Sequence, residues 1–376
     1  MTIGVLKEPS YETRVSLLAE AVATLTKKNI TVFVENGAGE KAFNINADYE
    51  KAGAQIKERI EVLQSADIIL SIHLPETSSL KPGTSNIIIG FYQPLYNIEL
   101  MKEWAAKGIT AFSLDMLPRT TRAQTIDVLS SQANIAGYKA VLVAANMFSR
   151  YFPMLMTAAG SVAPAKVLIL GAGVAGLQAI ATARRLGAVV EVLDTRPAVK
   201  EEVMSLGARF IEVEGAADAS KAGGYAVEQT EEFMQRQKGM ITESIAKADI
   251  VITTAQIPGK KAPILITEEM IRGMRNGSVI IDIAAGTGGN TPVTKNNETV
   301  VYNGVSIVGN SNLPATMPSD ASKMYGKNIL NFLKLIIDKD GNLNLNWQDD
   351  LVKGSCITHG GEVVNERVKT SVVNDE

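Results

Sequence analysis

Residues 166–194 read KVLILGAGVAGLQAIATARRLGAVVEVLD, and this run decides the fold. Val167–Leu170 is a short apolar run of strand type, Ala175–Leu186 carries helical spacing, and Val189–Leu193 is a second strand. Gly171, Gly173 and Gly176 form G-x-G-x-x-G directly between the first strand and the helix. The first glycine permits a tight turn, the second lets the backbone approach a pyrophosphate, and the third lets helix and strand pack closely. The helix start then offers unpaired N–H groups and a partial positive charge to the phosphates. A lone G-x-G-x-x-G is a weak signal and fits a ligand-free turn as well. Here it has its strand, its helix, a second strand and an acidic residue, Asp194, at that strand's end, about 20 residues on.

Asp194 bears on the choice of nucleotide. A carboxylate there accepts hydrogen bonds from ribose hydroxyls and repels a 2′-phosphate, which favours NAD. Thr195 and Arg196 follow it, and an arginine near this position is what accommodates NADP. Because Asp194 holds the acidic position itself, NAD is the expected nucleotide.

Outward from this run the same alternation continues in both directions. On the C-terminal side, a helix at Ala198–Leu206 and a strand at Phe210–Val213 are followed by GAADASKAGGYAVEQ (215–229), rich in Gly and Ala without periodicity, which reads as a mobile loop. A helix at Glu231–Lys247 and strands at Ile250–Thr253 and Val279–Ile283 complete this series. On the N-terminal side, Thr2–Leu6, Thr31–Val34, Asp67–Ile72, Ile87–Phe91 and Thr110–Ser113 read as strands. Helical patterns lie between them at Val15–Lys28, Asp48–Arg59 and Asn97–Lys107. Alternating strands and helices imply right-handed βαβ units and mostly parallel sheets. The expected fold is therefore α/β, with two Rossmann-like, doubly wound parallel-sheet domains and an interdomain nucleotide cleft. A long helical stretch, SSQANIAGYKAVLVAANMFSRY (130–151), bridges the two series, and Ser322–Ile337 leads back to the first. The domains expected are residues 1–130 plus 320–376, and 131–319. Between them FPMLMTAAGSVAPAK (152–166) reads as an apolar hairpin or linker, a candidate oligomer contact.

Composition narrows the function. Charged residues make up 20% of the chain and hydrophobic ones 46%, the balance of a globular protein with a sizeable core. A net charge of −3 without a basic stripe argues against nucleic acid. No run is long and apolar enough to span a bilayer, and MTIGVLKEP has no secretory pattern. A soluble cytoplasmic protein is expected. One cysteine, Cys356, reads as a buried small residue, and with two histidines there is no basis for a metal site. The scarcity of histidine matters for chemistry. A dehydrogenase that oxidises an alcohol or amine moves a proton with the hydride and usually supplies a His or Lys for it. Here His73, in SIHLPE, reads either as a site residue at a strand end or as a satisfied structural histidine. His359, in the THGG turn, reads as structural. Hydride transfer between two nicotinamide rings moves no proton, and asks for orientation and water exclusion instead.

The segment LDMLPRTTRAQTIDVLSSQANIAGYKA (114–140) gathers Arg119, Arg122, Gln124, Asp127, Ser130 and Ser131 between the two series. Such groups fit the task of fixing a carboxamide in one orientation. They fit a helix start equally well, with Thr121 as N-cap and Gln124 and Asp127 solvated in the first turns.

Several motifs together resemble the alanine dehydrogenase/transhydrogenase family across nearly the whole chain: KEPSYETRVSL, RAQTIDVLSSQANIAGY, GAGVAGLQAIATARRLGA, DTRP, TTAQIPGKKAP and AAGTGGN. The likeness is to its transhydrogenase branch, the soluble NAD(H)-binding component (domain I) of proton-translocating enzymes. Alanine dehydrogenases hold pyruvate with an Arg, a Lys and a His. The Arg matches Arg14, but the other two positions carry His73 and Gln93 (in GFYQPL), which removes the amino-acid chemistry. The resemblance implies that Arg119, Asp127 and Ser130 hold the nicotinamide end of NAD(H), with Thr125 and Ile126 beside them. It implies that Gln124 reaches toward NADP(H) on a partner. Gly173 and Val174 would line the pyrophosphate turn with Gly171 and Gly176, and Asp194, Thr195 and Arg196 would surround the adenosine ribose. Gly224 and Tyr225 would belong to a loop closing over the nucleotide, and Gln256, often apolar in relatives, to the wall of its cleft. The implied activity is si-specific hydride transfer between NADH and NADP⁺ coupled to proton translocation. NAD(H) would be bound by this chain and NADP(H) by a partner β subunit. A homodimer and a membrane-spanning partner, with peripheral association to the inner membrane, are also implied. The rival readings are an alanine or related amino-acid dehydrogenase and a non-catalytic NADH-sensing subunit.

Overall fold

The computed structural model describes residues 1–78, 80, 86–213, 215 and 230–374. In chain order, the N-terminal stretch contains β1 (Thr2–Val5), α1 (Ala19–Thr26), β2 (Thr31–Glu35), α2 (Asn46–Lys51), β3 (Gln55–Lys57), α3 (Arg59–Ser65), β4 (Ile68–Leu70), β5 (Ile87–Gly90), α4 (Ile98–Ala106) and β6 (Thr110–Ser113). The long helix α5 (Val128–Met147) and a hairpin, β7 (Leu155–Thr157) and β8 (Gly160–Val162), follow. Next come β9 (Lys166–Leu170), α6 (Val174–Arg185), β10 (Val189–Leu193), α7 (Lys200–Ser205), β11 (Arg209–Phe210), α8 (Glu231–Ile245), β12 (Ile250–Thr253), α9 (Glu268–Arg272), β13 (Val279–Asp282), β14 (Thr299–Tyr302) and β15 (Val305–Val308). The chain closes with α10 (Pro318–Ile336), α11 (Asp350–Ser355), β16 (Cys356–His359), β17 (Glu362–Val363) and α12 (Glu366–Asn374).

Two compact units result: residues 1–132 with 315–376, and residues 133–314. In the first unit the sheet order is β3-β2-β1-β4-β5-β6-β16-β17, parallel from β3 to β6 and antiparallel through β16 and β17. In the second it is β11-β10-β9-β12-β13-β15-β14, parallel except for the edge strand β14. Both parallel cores thus run 3-2-1-4-5, the doubly wound order. It reverses direction between the first and fourth strands and opens a crevice beyond their carboxyl ends. These strands are buried on both faces and read as continuous Ile/Val/Leu runs (IIIG, KVLIL, IVIT, VIID). Each sheet therefore separates two apolar clusters. One side of the first sheet packs Leu17, Val22, Tyr49, Phe332 and Ile336, the other Trp104, Met101, Ile357 and Val368.

The structure corrects the sequence-based expectations in several places. The expected helix over Asp48–Arg59 is two helices with a strand between them. Gly53 (φ +87°) stops α2, and its N–H and that of Ala54 satisfy the carbonyls of Glu50 and Tyr49. A glycine just past a helix end is a stop signal, and Gln55–Lys57 then joins the sheet edge beside β2. The hairpin β14–β15 and the strands β16 and β17 lie outside the strands expected from the sequence. The strand expected at Phe210–Val213 is shorter and earlier, Arg209–Phe210. The apolar segment 152–166 does form a two-stranded antiparallel hairpin. No helix among the described residues is long and apolar enough to cross a membrane.

Candidate functional site

At the reversal point of the second unit, β9 runs into the glycine turn and α6. The three fingerprint glycines are needed for different reasons. Gly171 has φ +104°, and a Cβ there would meet the Thr254 hydroxyl at 2.4 Å. A Cβ on Gly176 would stand 1.9 Å from the Gly171 carbonyl oxygen, so this position fixes the close packing of helix on strand. A Cβ on Gly173 would meet nothing within 4 Å. No contact among the described residues requires glycine at this middle position, whereas a ligand approaching the backbone would. Gly173 is the N-cap of α6, and Val174, its first residue, is exposed. The first intrahelical bond runs from the Leu177 N–H to the Gly173 carbonyl. The amides before it are the helix-start donors that suit an anion.

Asp194 follows β10 and is only 5% exposed in its side chain. One oxygen accepts from the Ala172 N–H at 2.7 Å, and both accept from the Arg196 guanidinium at 2.8 and 2.9 Å. The Arg196 N–H donates to it as well. The side-chain bond to Asp194 raises the Arg196 pKa against partial burial, so the pair is firmly ionic. Arg196 is thus a partner of the acidic residue and not an independent cation beside it. Thr195 lies between them.

Gln256 is exposed on the segment after β12, its amide donating to the Ile283 carbonyl. This segment is held by Asn290, fully buried, whose side chain pairs with the N–H and carbonyl of Ala255 and donates to the Pro263 carbonyl. Asp282, also fully buried, accepts from the Asn290 and Ala284 amides and from the hydroxyls of Thr253 and Thr294. Sequence reasoning missed Asp282 and Asn290 as individual residues. The motif AAGTGGN marks the segment, but only its folded path reveals the bonds. Gly224 and Tyr225, with nearly all of 215–229, lie outside the described residues.

In the first unit the polar segment after β6 forms a 3-10 turn, Thr121–Ile126, leading into α5. Thr121 does not cap a helix start, contrary to the alternative its sequence position allows. Asp127 does: its Oδ1 accepts from the Ser130 N–H at 2.9 Å and its Oδ2 from the Ser130 hydroxyl at 2.6 Å, at the head of α5. Ile126 is buried in the core, so only its backbone is open to a ligand. The Thr125 carbonyl accepts from Asn328 and Asn331 of α10, which fasten the turn from the C-terminal side of the chain. Arg119, Gln124 and Thr125 are exposed. Arg122 is taken up by Asp349 and Asp350, at 2.6 and 2.5 Å, and ties the turn to α11. The structure therefore brings Gln124, Thr125, Asp127 and Ser130 onto one turn and helix start.

The reversal point of the first unit, between β1 and β4, holds a second polar cluster. Glu8 accepts from the backbone amides of Ile72 and His73 at 2.6 and 3.0 Å. Burial pushes its carboxyl up to about 7 despite those bonds. Burial also opposes the charge on Glu12. There the bidentate bonds from Arg14 and the bond from His73 Nε2 outweigh it and hold the carboxyl well below its usual range. Arg14 also donates to Gln132 at 2.8 Å. His73 is packed edge-on by Tyr11. His73 is thus a satisfied residue within an ionic network, and Arg14 has its guanidinium occupied. Gln93 is exposed in the left-handed region, φ +48°. His359 bonds Thr110 and lies against Trp347, and Cys356 is buried with its thiol pushed up to about 12 by that burial. No cluster that could hold a metal ion occurs among the described residues.

Two doubly wound parallel sheets, one of them opening on a glycine turn with an acidic residue after the next strand, define a Rossmann-type α/β protein of the dinucleotide-binding class. The chain belongs to the alanine dehydrogenase/PNT family: the model of that family's N-terminal domain matches residues 4–136 and that of its C-terminal domain residues 140–366. It is 44% identical over 378 residues to the first of the polypeptides that make up NAD(P) transhydrogenase subunit alpha in Rhodospirillum rubrum, covering 97% of this chain and 98% of that protein. It is 43% identical to NAD(P) transhydrogenase subunit alpha of Haemophilus influenzae, over 97% of this chain and 72% of that one. The crystal structure of transhydrogenase from Sinorhizobium meliloti superposes with a TM-score of 0.87 at 43% identity, over 97% of this chain and all of that one. L-alanine dehydrogenase shares the fold, with a TM-score of 0.82 at 24% identity over all of this chain and 99% of that one.

Proposed function

We propose that this chain is the NAD(H)-binding subunit of a proton-translocating transhydrogenase, passing hydride si-specifically between NADH and NADP⁺ held by a partner β subunit. The observation that carries the reading is the middle fingerprint glycine. Gly173 faces open space at the head of α6, next to an acidic residue poised for ribose, in a chain 44% identical to an NAD(P) transhydrogenase subunit. In this reading the amides at the head of α6 take the pyrophosphate, with Gly171 and Gly176 shaping the turn. Asp194, with Thr195 and Arg196, takes the adenosine ribose, and Gln256 lies along the nucleotide. Arg119, Asp127 and Ser130 orient the nicotinamide carboxamide, with Thr125 and Ile126 contributing through the turn. Gln124, exposed on that turn, reaches toward the NADP(H) of the partner. Gly224 and Tyr225 belong to the loop assigned to cover the nucleotide.

The chemistry demanded is modest. A hydride leaves one nicotinamide and joins the other, no proton travels with it, and the residues serve to align two rings and exclude water. His73 and Arg14 suit no proton-transfer role because Glu12 already engages both. The amino-acid dehydrogenase reading is weaker for that reason. The subunit would work as a homodimer, associated peripherally with the cytoplasmic face of the inner membrane through a membrane-spanning partner. The test is reconstitution. Mixed with an NADP(H)-binding component, the chain should catalyse transhydrogenation and bind NADH more tightly than NADPH. NADH binding without transfer would leave a nucleotide-sensing subunit. Amine formation from pyruvate by the chain alone would establish the dehydrogenase.

A further inference from the structure

The Thr254 hydroxyl, one residue past β12, has no role in the assignments above, yet it touches the glycine turn. Strands β9 and β12 are neighbours, with Leu170 opposite Thr253, and the Thr254 N–H continues the ladder to the Leu170 carbonyl at 3.0 Å. Its hydroxyl then donates to the Gly171 carbonyl at 3.1 Å, and lies 3.3 Å from that of Leu170. On the other side of the same peptide unit, the Ala172 N–H donates to Asp194 at 2.7 Å. The Gly171–Ala172 peptide is therefore clamped at both poles, its C=O by Thr254 and its N–H by Asp194. It lies immediately before the Gly173 N-cap, so its orientation sets the direction in which the first amides of α6 point. Thr254 is in turn held in place by its neighbour, since Ala255 is paired through both backbone groups with buried Asn290.

We infer that Thr254 is a positioning residue for the phosphate-binding turn: its hydroxyl fixes the Gly171 carbonyl so that the amides at the head of α6 are aimed before a dinucleotide arrives. Pre-aimed donors avoid an ordering cost on binding. The inference rests on the dinucleotide-binding reading above and assigns Thr254 no contact with the ligand.

The experiment compares Thr254→Val, which keeps the shape and loses the donor, with Thr254→Ser, which keeps the donor. Affinities of the full-length proteins for NADH, ADP-ribose and adenosine are measured by titration calorimetry. Loss of one such hydrogen bond should weaken NADH and ADP-ribose about three- to tenfold in Thr254→Val. Adenosine, lacking the diphosphate, should bind as to the wild type, and Thr254→Ser should restore both weakened ligands. Equal NADH affinity in Thr254→Val and wild type would overturn the inference. So would an equal loss for adenosine, which marks a general structural defect, or a serine variant as weak as the valine one. If the wild-type protein itself bound no NADH, the functional reading would fail first, which separates the two failures.

Discussion

Asp127 shows how one side chain is open to two roles that a measurement can separate. Both its oxygens are bound to Ser130 at the head of α5, so it caps a helix. Asparagine caps about as well as aspartate, whereas alanine in such a position costs about 1 kcal/mol. Asp127→Asn should therefore leave the thermal midpoint close to wild type and NADH still bound. If the carboxylate orients the nicotinamide, the same variant should lower the reconstituted transhydrogenation rate by about tenfold or more, because small misplacements of reacting groups are costly. Gln124→Asn should do likewise, and wild-type rates in both would refute the site assignment. Glu8 gives a second residue-scale expectation. Its carboxyl is raised by burial from an ordinary 4.5 to about 7. The folded protein thus binds a proton the unfolded chain has released between those values, and stability from this group falls as pH rises through that window. Glu12, shifted the opposite way, contributes above its ordinary range and loses that contribution as pH falls. Denaturation curves between pH 5 and 8 should slope downward in wild type by up to about 3 kcal/mol, and Glu8→Gln should flatten them.

At the scale of elements, the position of α6 depends on a residue far from the fingerprint in sequence. Gly137 lies in the middle of α5, and a Cβ there would stand 2.0 Å from the Ala175 carbonyl oxygen. The two helices touch backbone to backbone at the first turn of α6. Gly137→Ala must push them apart, at an expected cost of about 1–3 kcal/mol, measurable by urea denaturation. The shift falls on the helix end assigned to the phosphates, so NADH affinity should drop as well. An alanine variant of wild-type stability would show that the contact yields at no cost. In the sequence Gly137 is one glycine in a helical run, carrying no signal of its own, because closeness of two helices is set by their crossing and not by either pattern.

For the whole molecule, the hairpin β7–β8 stands out by the apolar surface it exposes. Tyr151, Met154 and Met156 on and beside it are 59, 62 and 75% exposed. Clustered exposed apolar side chains suit a protein contact, and the proposed homodimer would use this one. Met156→Asp should shift the protein from dimer to monomer in sedimentation velocity while the monomer stays folded by circular dichroism. A wild-type monomer, or a dimer unaffected by the charge, would remove the hairpin from the interface.

The strand–glycine–helix–strand run, the acidic residue after it and the alternation of apolar runs with helical spacing are fixed locally, by patterns with periods of two and 3.6 residues, and so are readable along the chain. They determined the α/β class, most strand positions and the fingerprint. Sequence is weakest where an outcome depends on partners distant in the chain. The expectation of one helix over Asp48–Arg59 failed because sheet-edge pairing with β2 recruited Gln55–Lys57. The capping role of Asp127, the capture of Arg122 by Asp349 and Asp350, and the clamp of Gly171 by Thr254 and of Ala172 by Asp194 all emerge only once the strands are stacked in order. Hydrogen bonds reach about 3 Å, so what a polar side chain does is decided by the few groups that folding brings within that distance, and no spacing along the sequence measures it.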